Sequence, residues 1–308
     1  MTHRILVGPR RGWLADAVEA GGAEVLDSGV GGGVDGPVDA VVWTDPKHPD
    51  GLRDVLDAHP DVEWVQLPWA GIEPFVPILD HDRVWTCGKG VYADPVAEQA
   101  LLFALMGLRG MASYAGADTW LPPEGRNLLG ASVVIAGAGG IAASLLRLLE
   151  PFGARVTVVR RSDEPVAGAD RTVTLDQLDD VLPAADVVFL TLALTPETEG
   201  LIDERRLRLL PSHAWLVNVA RGQHVVTDDL VRVLDDGGIG GAGLDVIDPE
   251  PLPDGHPLWS FPNCFISPHV GNTPEMAVPL LSARVTENVR RFLAGDELLG
   301  VVDVDAGY

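Results

Sequence analysis

Positive charge is scarce in this chain. Against 45 Asp+Glu stand 22 Lys+Arg, and only Lys47 and Lys89 are lysines. A formal net charge of −23 argues against broad binding to nucleic acid or to an anionic membrane, both of which need a basic face. The acidic residues are spread along the chain and read as a solubilising surface, while the lysine shortage reads as a bias of composition. Cysteine is equally sparse. Cys87 and Cys264 sit in the apolar runs VWTCGKG and NCFISPH, without metal-ligand spacing. Two buried thiols fit a reducing compartment better than a disulfide framework. No apolar run approaches the ~18 residues of a membrane span, and the opening MTHRILVGPRRGW lacks a signal-peptide core. These absences predict a soluble cytoplasmic protein with no nucleic acid, no membrane and no metal among its partners.

What the chain does have is apolar residue in short, repeated runs. Its 308 residues, 46% hydrophobic, suffice for two ordinary domains. RILVG (4–8), DAVVW (39–43), VEWVQL (62–67) and RVWTC (83–87) alternate with helix-like stretches. Continuous apolar strands separated by helices predict a parallel sheet covered on both faces. Residues 94–115 read as one connecting helix, with Asp94 as its cap and Pro95 in its first position. A second series follows: ASVVIAG, RVTVV, DVVFLTL, AWLVNVA, GAGLDVI and NCFISPHV. The stretch 274–293 has helical periodicity and is expected to return to the first domain. The expected fold class is α/β, with two Rossmann-like or flavodoxin-like parallel-sheet domains and the active site in the interdomain cleft. Residues 1–94 with 275–308 would form a discontinuous substrate domain, and 95–274 the dinucleotide-binding one.

The second series opens on a glycine motif in its proper setting. Gly137, Gly139 and Ala142 form G-x-G-x-x-A directly after the strand SVVIA, and Gly140 and Ile141 open the helix that follows. The first glycine permits a tight turn and the second lets a pyrophosphate approach the backbone. The helix N-terminus then stabilises its negative charge. Arg160 lies 23 residues after Gly137, at the strand end that faces the adenosine ribose. An acidic residue there would bind the ribose hydroxyls and repel a 2′-phosphate. Arg160, Arg161 and Ser162 favour that phosphate instead, so NADP(H) is preferred and NAD(H) stays possible.

Three later strand ends carry groups suited to carbonyl reduction. Arg221 follows LVNVA, Asp245 and Glu250 follow GAGL, and His269 follows the apolar run FIS. A histidine can donate a proton to the developing alkoxide, and a carboxylate on its ring holds its orientation. An arginine fork can clamp a substrate carboxylate and polarise the neighbouring carbonyl. The other histidines have no comparable setting and read as structural.

VNVARG, LDVIDPEPLPDGHPLW and NCFISPHVGN, in this order after the glycine motif, resemble the D-isomer-specific 2-hydroxyacid dehydrogenases, as does LTPETEGLID (194–203). The resemblance covers nearly the whole chain. It implies Arg221 as substrate-binding, Glu250 as partner of His269, and His269 as general acid and base. It further implies that Asp245 contacts the nicotinamide carboxamide and that the backbone at Val219 and Ala220 lines the ring. PWAGIEPF (68–75) matches the family's substrate loop and makes Trp69, Ala70 and Gly71 substrate-binding. The arginine pair and AEQALLFALMGLRG look most like the glyoxylate/hydroxypyruvate reductase branch, which implies NADPH-dependent reduction of a small 2-oxo acid to the D-2-hydroxy acid. Ala193 replaces a frequent proline before LTPET, and the bulky Trp69 can narrow the pocket; both leave the substrate open. The family also implies a homodimer, with YAGADTWLPPEGRNL (114–128) as contact arm. The alternatives are a same-scaffold enzyme acting on a bulkier or phosphorylated hydroxy acid with NAD, and a dinucleotide-sensing regulatory protein.

Overall fold

The computed structural model describes residues 3–9, 12–27, 36–46 and 48–307; Lys47 lies outside them. Along the chain come β1 (Arg4–Gly8), α1 (Gly12–Gly21), β2 (Glu24–Asp27), β3 (Ala40–Trp43), α2 (Pro49–Ala58), β4 (Trp64–Gln66) and β5 (Val84–Thr86). Then follow α3 (Ala93–Leu108), α4 (Met111–Tyr114), β6 (Ser132–Ala136), α5 (Gly140–Leu149), β7 (Arg155–Arg160) and β8 (Arg171–Thr174). The chain continues with α6 (Leu178–Val181), β9 (Val187–Leu190), α7 (Glu204–Leu207), β10 (Trp215–Asn218), α8 (Thr227–Asp235), β11 (Gly241–Leu244), β12 (Cys264–Ile266) and α9 (Pro274–Ala294).

The chain divides into two units, 1–92 with 273–308 and 93–272. In the first unit, the described strands form one parallel sheet in the order β2-β1-β3-β4-β5. Every residue of β3 and β4 is buried, as expected where helices cover both faces of a sheet. A buried polar network ties α9 to this sheet. Asn288 donates to Gln66 (3.0 Å), which also accepts from Thr86 (2.9 Å), and Thr86 in turn accepts from the Trp64 indole (2.8 Å).

In the second unit, the parallel order is β12-β11-β10-β9-β6-β7-β8. The order reverses between β6 and β9, the place where open α/β sheets bind their ligands. The strands missed by the apolar pattern are β2 and β8, each at the edge of its sheet. Their sequences, EVLD and RTVT, mix polar with apolar residues because an edge strand is covered on fewer sides.

The helix expected over 94–115 is corrected in two ways. It ends at Leu108, and Gly110 in the left-handed region separates it from the short α4. Asp94 is not its cap but lies in its first turn. The carboxylate accepts instead from the Ser144 hydroxyl (2.5 Å) and Arg147 (2.7 Å) of α5, and the Ser144 bond, followed by the Arg147 bond, holds its pKa below the ordinary range. Of the two thiols expected to be buried, Cys87 is buried and Cys264 only partly so. No helix among the described residues is long and apolar enough to cross a membrane.

Candidate active site

The glycine turn sits where the sheet order reverses. Gly137 has φ +117°, and a Cβ there would lie 2.6 Å from Thr191 Oγ1 and 2.8 Å from the Leu192 nitrogen, so only glycine fits. Its amide donates to the Val159 carbonyl (2.8 Å), which joins the turn to the end of β7. Gly139 differs, because a Cβ added to it would meet nothing within 4 Å. The space before it is open, and Gly140 and Ile141 follow in the first turn of α5, where amides lack intrahelical acceptors. An open cradle lined by such amides fits a pyrophosphate, which a side chain at 139 would displace. Ala142 is fully buried beneath it.

At the end of β7, Arg160 makes long contacts to its own turn. Arg160 Nη2 lies 3.6 Å from the Glu164 carboxylate, an ion pair within its own turn, and Nη1 donates to the Glu164 carbonyl at 3.5 Å. Arg161 is exposed and Ser162 half-buried. The Thr195 hydroxyl and its own amide lower the carboxyl of Glu197, and the charge of Arg161 acts in the same direction.

The opposite side of the sheet is heavily braced. Arg221, Glu250 and His269 follow the neighbouring strands β10, β11 and β12, so the parallel topology delivers all three to one edge. Asn218 is wholly buried and shapes the turn of Arg221: its Oδ1 accepts from the Ala220 amide (3.1 Å), and its Nδ2 donates to the Arg221 carbonyl (2.8 Å). Val219 and Ala220 are buried beside it. Gly222 packs directly on the next strand's loop; a Cβ there would fall 2.1 Å from the Ile247 carbonyl carbon. The Arg221 guanidinium donates to the Ala220 carbonyl (2.7 Å).

Asp245 braces His269. Its carboxylate is 4% exposed and accepts three donors: the Ser267 hydroxyl (2.5 Å) and the amides of Val270 and Gly271 (both 2.9 Å). The His269 amide donates to the Asp245 carbonyl (2.8 Å), and the Ser267 hydroxyl also accepts from Gln99 (3.2 Å). His269 itself has φ +55°, a left-handed conformation uncommon outside glycine that the surrounding bonds must enforce. Its Nδ1 lies 2.9 Å from Glu250 Oε1, with both side chains about half exposed. An ionised carboxylate only accepts, so Nδ1 carries the hydrogen and Nε2 remains to take up or release a proton.

The substrate loop expected at 69–71 belongs to the first unit. Its carbonyls are anchored in sequence: Pro68 accepts from the Tyr92 hydroxyl (3.0 Å), Trp69 from the Gly88 amide (2.8 Å), and Ala70 from the Cys87 thiol (3.8 Å). In a trans peptide the amide points opposite to the preceding carbonyl. The amides of Trp69, Ala70 and Gly71 therefore face away from this anchor, as an anion-binding turn requires. The Trp69 and Tyr92 rings lie 5.7 Å apart, and burial raises the Tyr92 pKa above its ordinary value.

Sequence reasoning did not single out Asn218, Tyr92, Ser267 or Gln99, whose roles arise from contacts that only the fold creates. Among the described residues no cluster of His, Cys, Asp and Glu could hold a metal ion.

Comparison with known proteins identifies the family. Residues 99–271 match the model of the D-isomer specific 2-hydroxyacid dehydrogenase, NAD binding domain. The chain is 30% identical over 293 residues to glyoxylate/hydroxypyruvate reductase A of Serratia proteamaculans (strain 568), covering 90% of each. A D-isomer specific 2-hydroxyacid dehydrogenase from Xanthobacter autotrophicus Py2, solved in complex with NADPH and MES, superposes with a TM-score of 0.85 at 26% identity, covering 100% of both chains. The NADPH-dependent glyoxylate/hydroxypyruvate reductase of Sinorhizobium meliloti, in complex with NADP and sulfate, gives 0.82 at 26% identity, again over 100% of both.

Proposed function

We propose that this chain, which belongs to the D-isomer specific 2-hydroxyacid dehydrogenase family of NAD(P)-dependent oxidoreductases, uses NADPH to reduce a small 2-oxo acid to the D-2-hydroxy acid. Glyoxylate and hydroxypyruvate are the substrates favoured. The observation that carries the reading is the His269–Glu250 pair, joined at 2.9 Å on the strand edge that also bears Arg221.

The bound nicotinamide supplies the hydride. The chain's own residues do the rest. The cradle at Gly137, Gly139, Gly140 and Ile141 holds the pyrophosphate, while Arg160, Arg161 and Ser162 receive the 2′-phosphate. The backbone at Val219 and Ala220 lines the nicotinamide, and the remaining lone pair of Asp245 accepts from its carboxamide. Arg221 clamps the substrate carboxylate and polarises the carbonyl to be reduced. The amides of Trp69, Ala70 and Gly71 bind the substrate. Trp69, propped on Tyr92, limits the size of the 2-oxo acid. His269 Nε2 gives its proton to the oxygen as alkoxide character develops, and Glu250, 2.9 Å from Nδ1, holds the ring's orientation for that transfer.

Two copies are proposed to pair through the second unit, because the arm 114–128 presents a fully exposed Trp120 with no apolar cover among the described residues. Light scattering at the mass of a single chain would exclude this pairing. The function is tested by steady-state reduction of a panel of 2-oxo acids with NADPH and NADH. Turnover is expected to be most efficient with glyoxylate or hydroxypyruvate and NADPH. A protein that oxidises neither dinucleotide with any 2-oxo acid would refute it.

A further inference from the structure

His224 takes no part in the chemistry above, yet it is wholly buried in the turn that carries Arg221. Each ring nitrogen faces a carbonyl of the segment following β9: Nδ1 lies 2.9 Å from the Thr198 oxygen and Nε2 lies 3.2 Å from the Leu192 oxygen. That segment begins against the glycine turn, since Thr191 and Leu192 are the atoms nearest Gly137. It also lies along the Arg221 turn by backbone bonds, from the Gly200 amide to the Gln223 carbonyl and from the Ile202 amide to the His224 carbonyl (both 2.8 Å). On its other side the His224 amide donates to the Arg221 carbonyl at 3.3 Å.

Burial lowers the pKa of His224, with the Arg221 charge acting in the same direction and the two carbonyls opposing them. The neutral ring donates to one carbonyl, and the shorter contact assigns that bond to Nδ1 and Thr198. A buried polar ring set between two carbonyls is a poor choice for packing alone, because an apolar side chain of the same shape would carry no desolvation cost.

We propose that His224 is a positioning residue that couples the dinucleotide site to Arg221, by holding the 192–198 segment at once against the glycine turn and against the Arg221 turn. The proposal rests on the reading of Arg221 as the substrate clamp. It predicts that loss of the ring's bond loosens dinucleotide binding and substrate capture together, and that restoring one donor at the Nδ1 position restores both.

The experiment compares wild type with His224→Leu, His224→Asn and His224→Gln, using whichever of NADPH and NADH wild type binds more tightly. The Asn amide places a donor where Nδ1 stands, and the Gln amide places one nearer Nε2. Fluorescence titration gives the dinucleotide affinity without turnover, and steady-state kinetics gives KM and kcat for the 2-oxo acid. Loss of one buried hydrogen bond corresponds to about a tenfold weakening. His224→Leu is expected to raise both the dinucleotide Kd and the 2-oxo acid KM by about that factor, while His224→Asn stays within about threefold of wild type in both. Equal losses in Asn and Leu would reduce His224 to a packing residue and overturn the proposal, as would a Leu variant with unchanged affinity. Should Leu fail to fold, Asn retaining both parameters while Gln loses them supports the proposal, and identical Asn and Gln variants overturn it. A wild type that binds dinucleotide but turns over no 2-oxo acid would fail the reading of Arg221, while the affinity comparison would still decide whether His224 holds the segment.

Discussion

Two corners of the same sheet edge are built on opposite plans. Where β10, β11 and β12 end, Asn218 holds the turn of Arg221, Asp245, Ser267 and Gln99 hold that of His269, and the Asp245 amide joins the two by donating to the Asn218 carbonyl at 3.0 Å. Where β7 ends, Arg160 lies 3.6 Å from the carboxylate of Glu164 in its own turn, and Arg161 is exposed. Under the proposed function, the difference follows from what each corner would have to do. Proton and hydride transfer fail when groups are displaced by about an ångström, so the reacting groups are over-determined. Attraction between a guanidinium and a phosphate tolerates looser geometry, so an exposed strand end suffices for choosing between dinucleotides.

The largest effect is expected at the braced corner. His269→Asn removes the proposed proton donor and should lower reduction by about a thousandfold, with dinucleotide affinity by fluorescence titration left intact. Near-normal turnover would remove His269 from the chemistry. Asp245→Asn comes next. An amide nitrogen facing the Gly271 or Val270 amide replaces an acceptor with a donor, and should release the loop that fixes His269. A fall in kcat of about a hundredfold is expected; a variant with normal kcat would show that the loop holds itself. The smallest effect belongs to the exposed corner. Glu164→Gln frees Arg160 of a surface ion pair, and should raise kcat/KM with NADPH by about two- to threefold without changing that with NADH. An equal change with both would make Glu164 irrelevant to the choice.

How much of this was legible beforehand depends on how local the cause is. β3 and β9 are fully buried strands, and their unbroken apolar runs announce them. The glycine turn is legible for the same reason, because Gly137 and the helix it opens are adjacent in sequence. Edge strands β2 and β8 were not, since partial cover leaves no continuous apolar signal. Asp94 looked like a cap from its neighbours alone, whereas its partners Ser144 and Arg147 lie some fifty positions away. Asn218, Tyr92 and His224 were passed over for a related reason. A buried polar side chain takes its meaning from the carbonyl it meets, and only the folded sheet brings that carbonyl to it.

The separation of the two corners is tested most directly by one ratio: kcat/KM with NADPH over kcat/KM with NADH, glyoxylate as acceptor, in wild type and in the Arg160→Ala/Arg161→Ala double variant. Wild type should favour NADPH by at least about tenfold, and the double variant should bring the ratio close to one. Its efficiency with NADH should stay within about twofold of wild type, because the braced corner is untouched. An unchanged ratio, or a fall with NADH as steep as the fall with NADPH, would contradict the account.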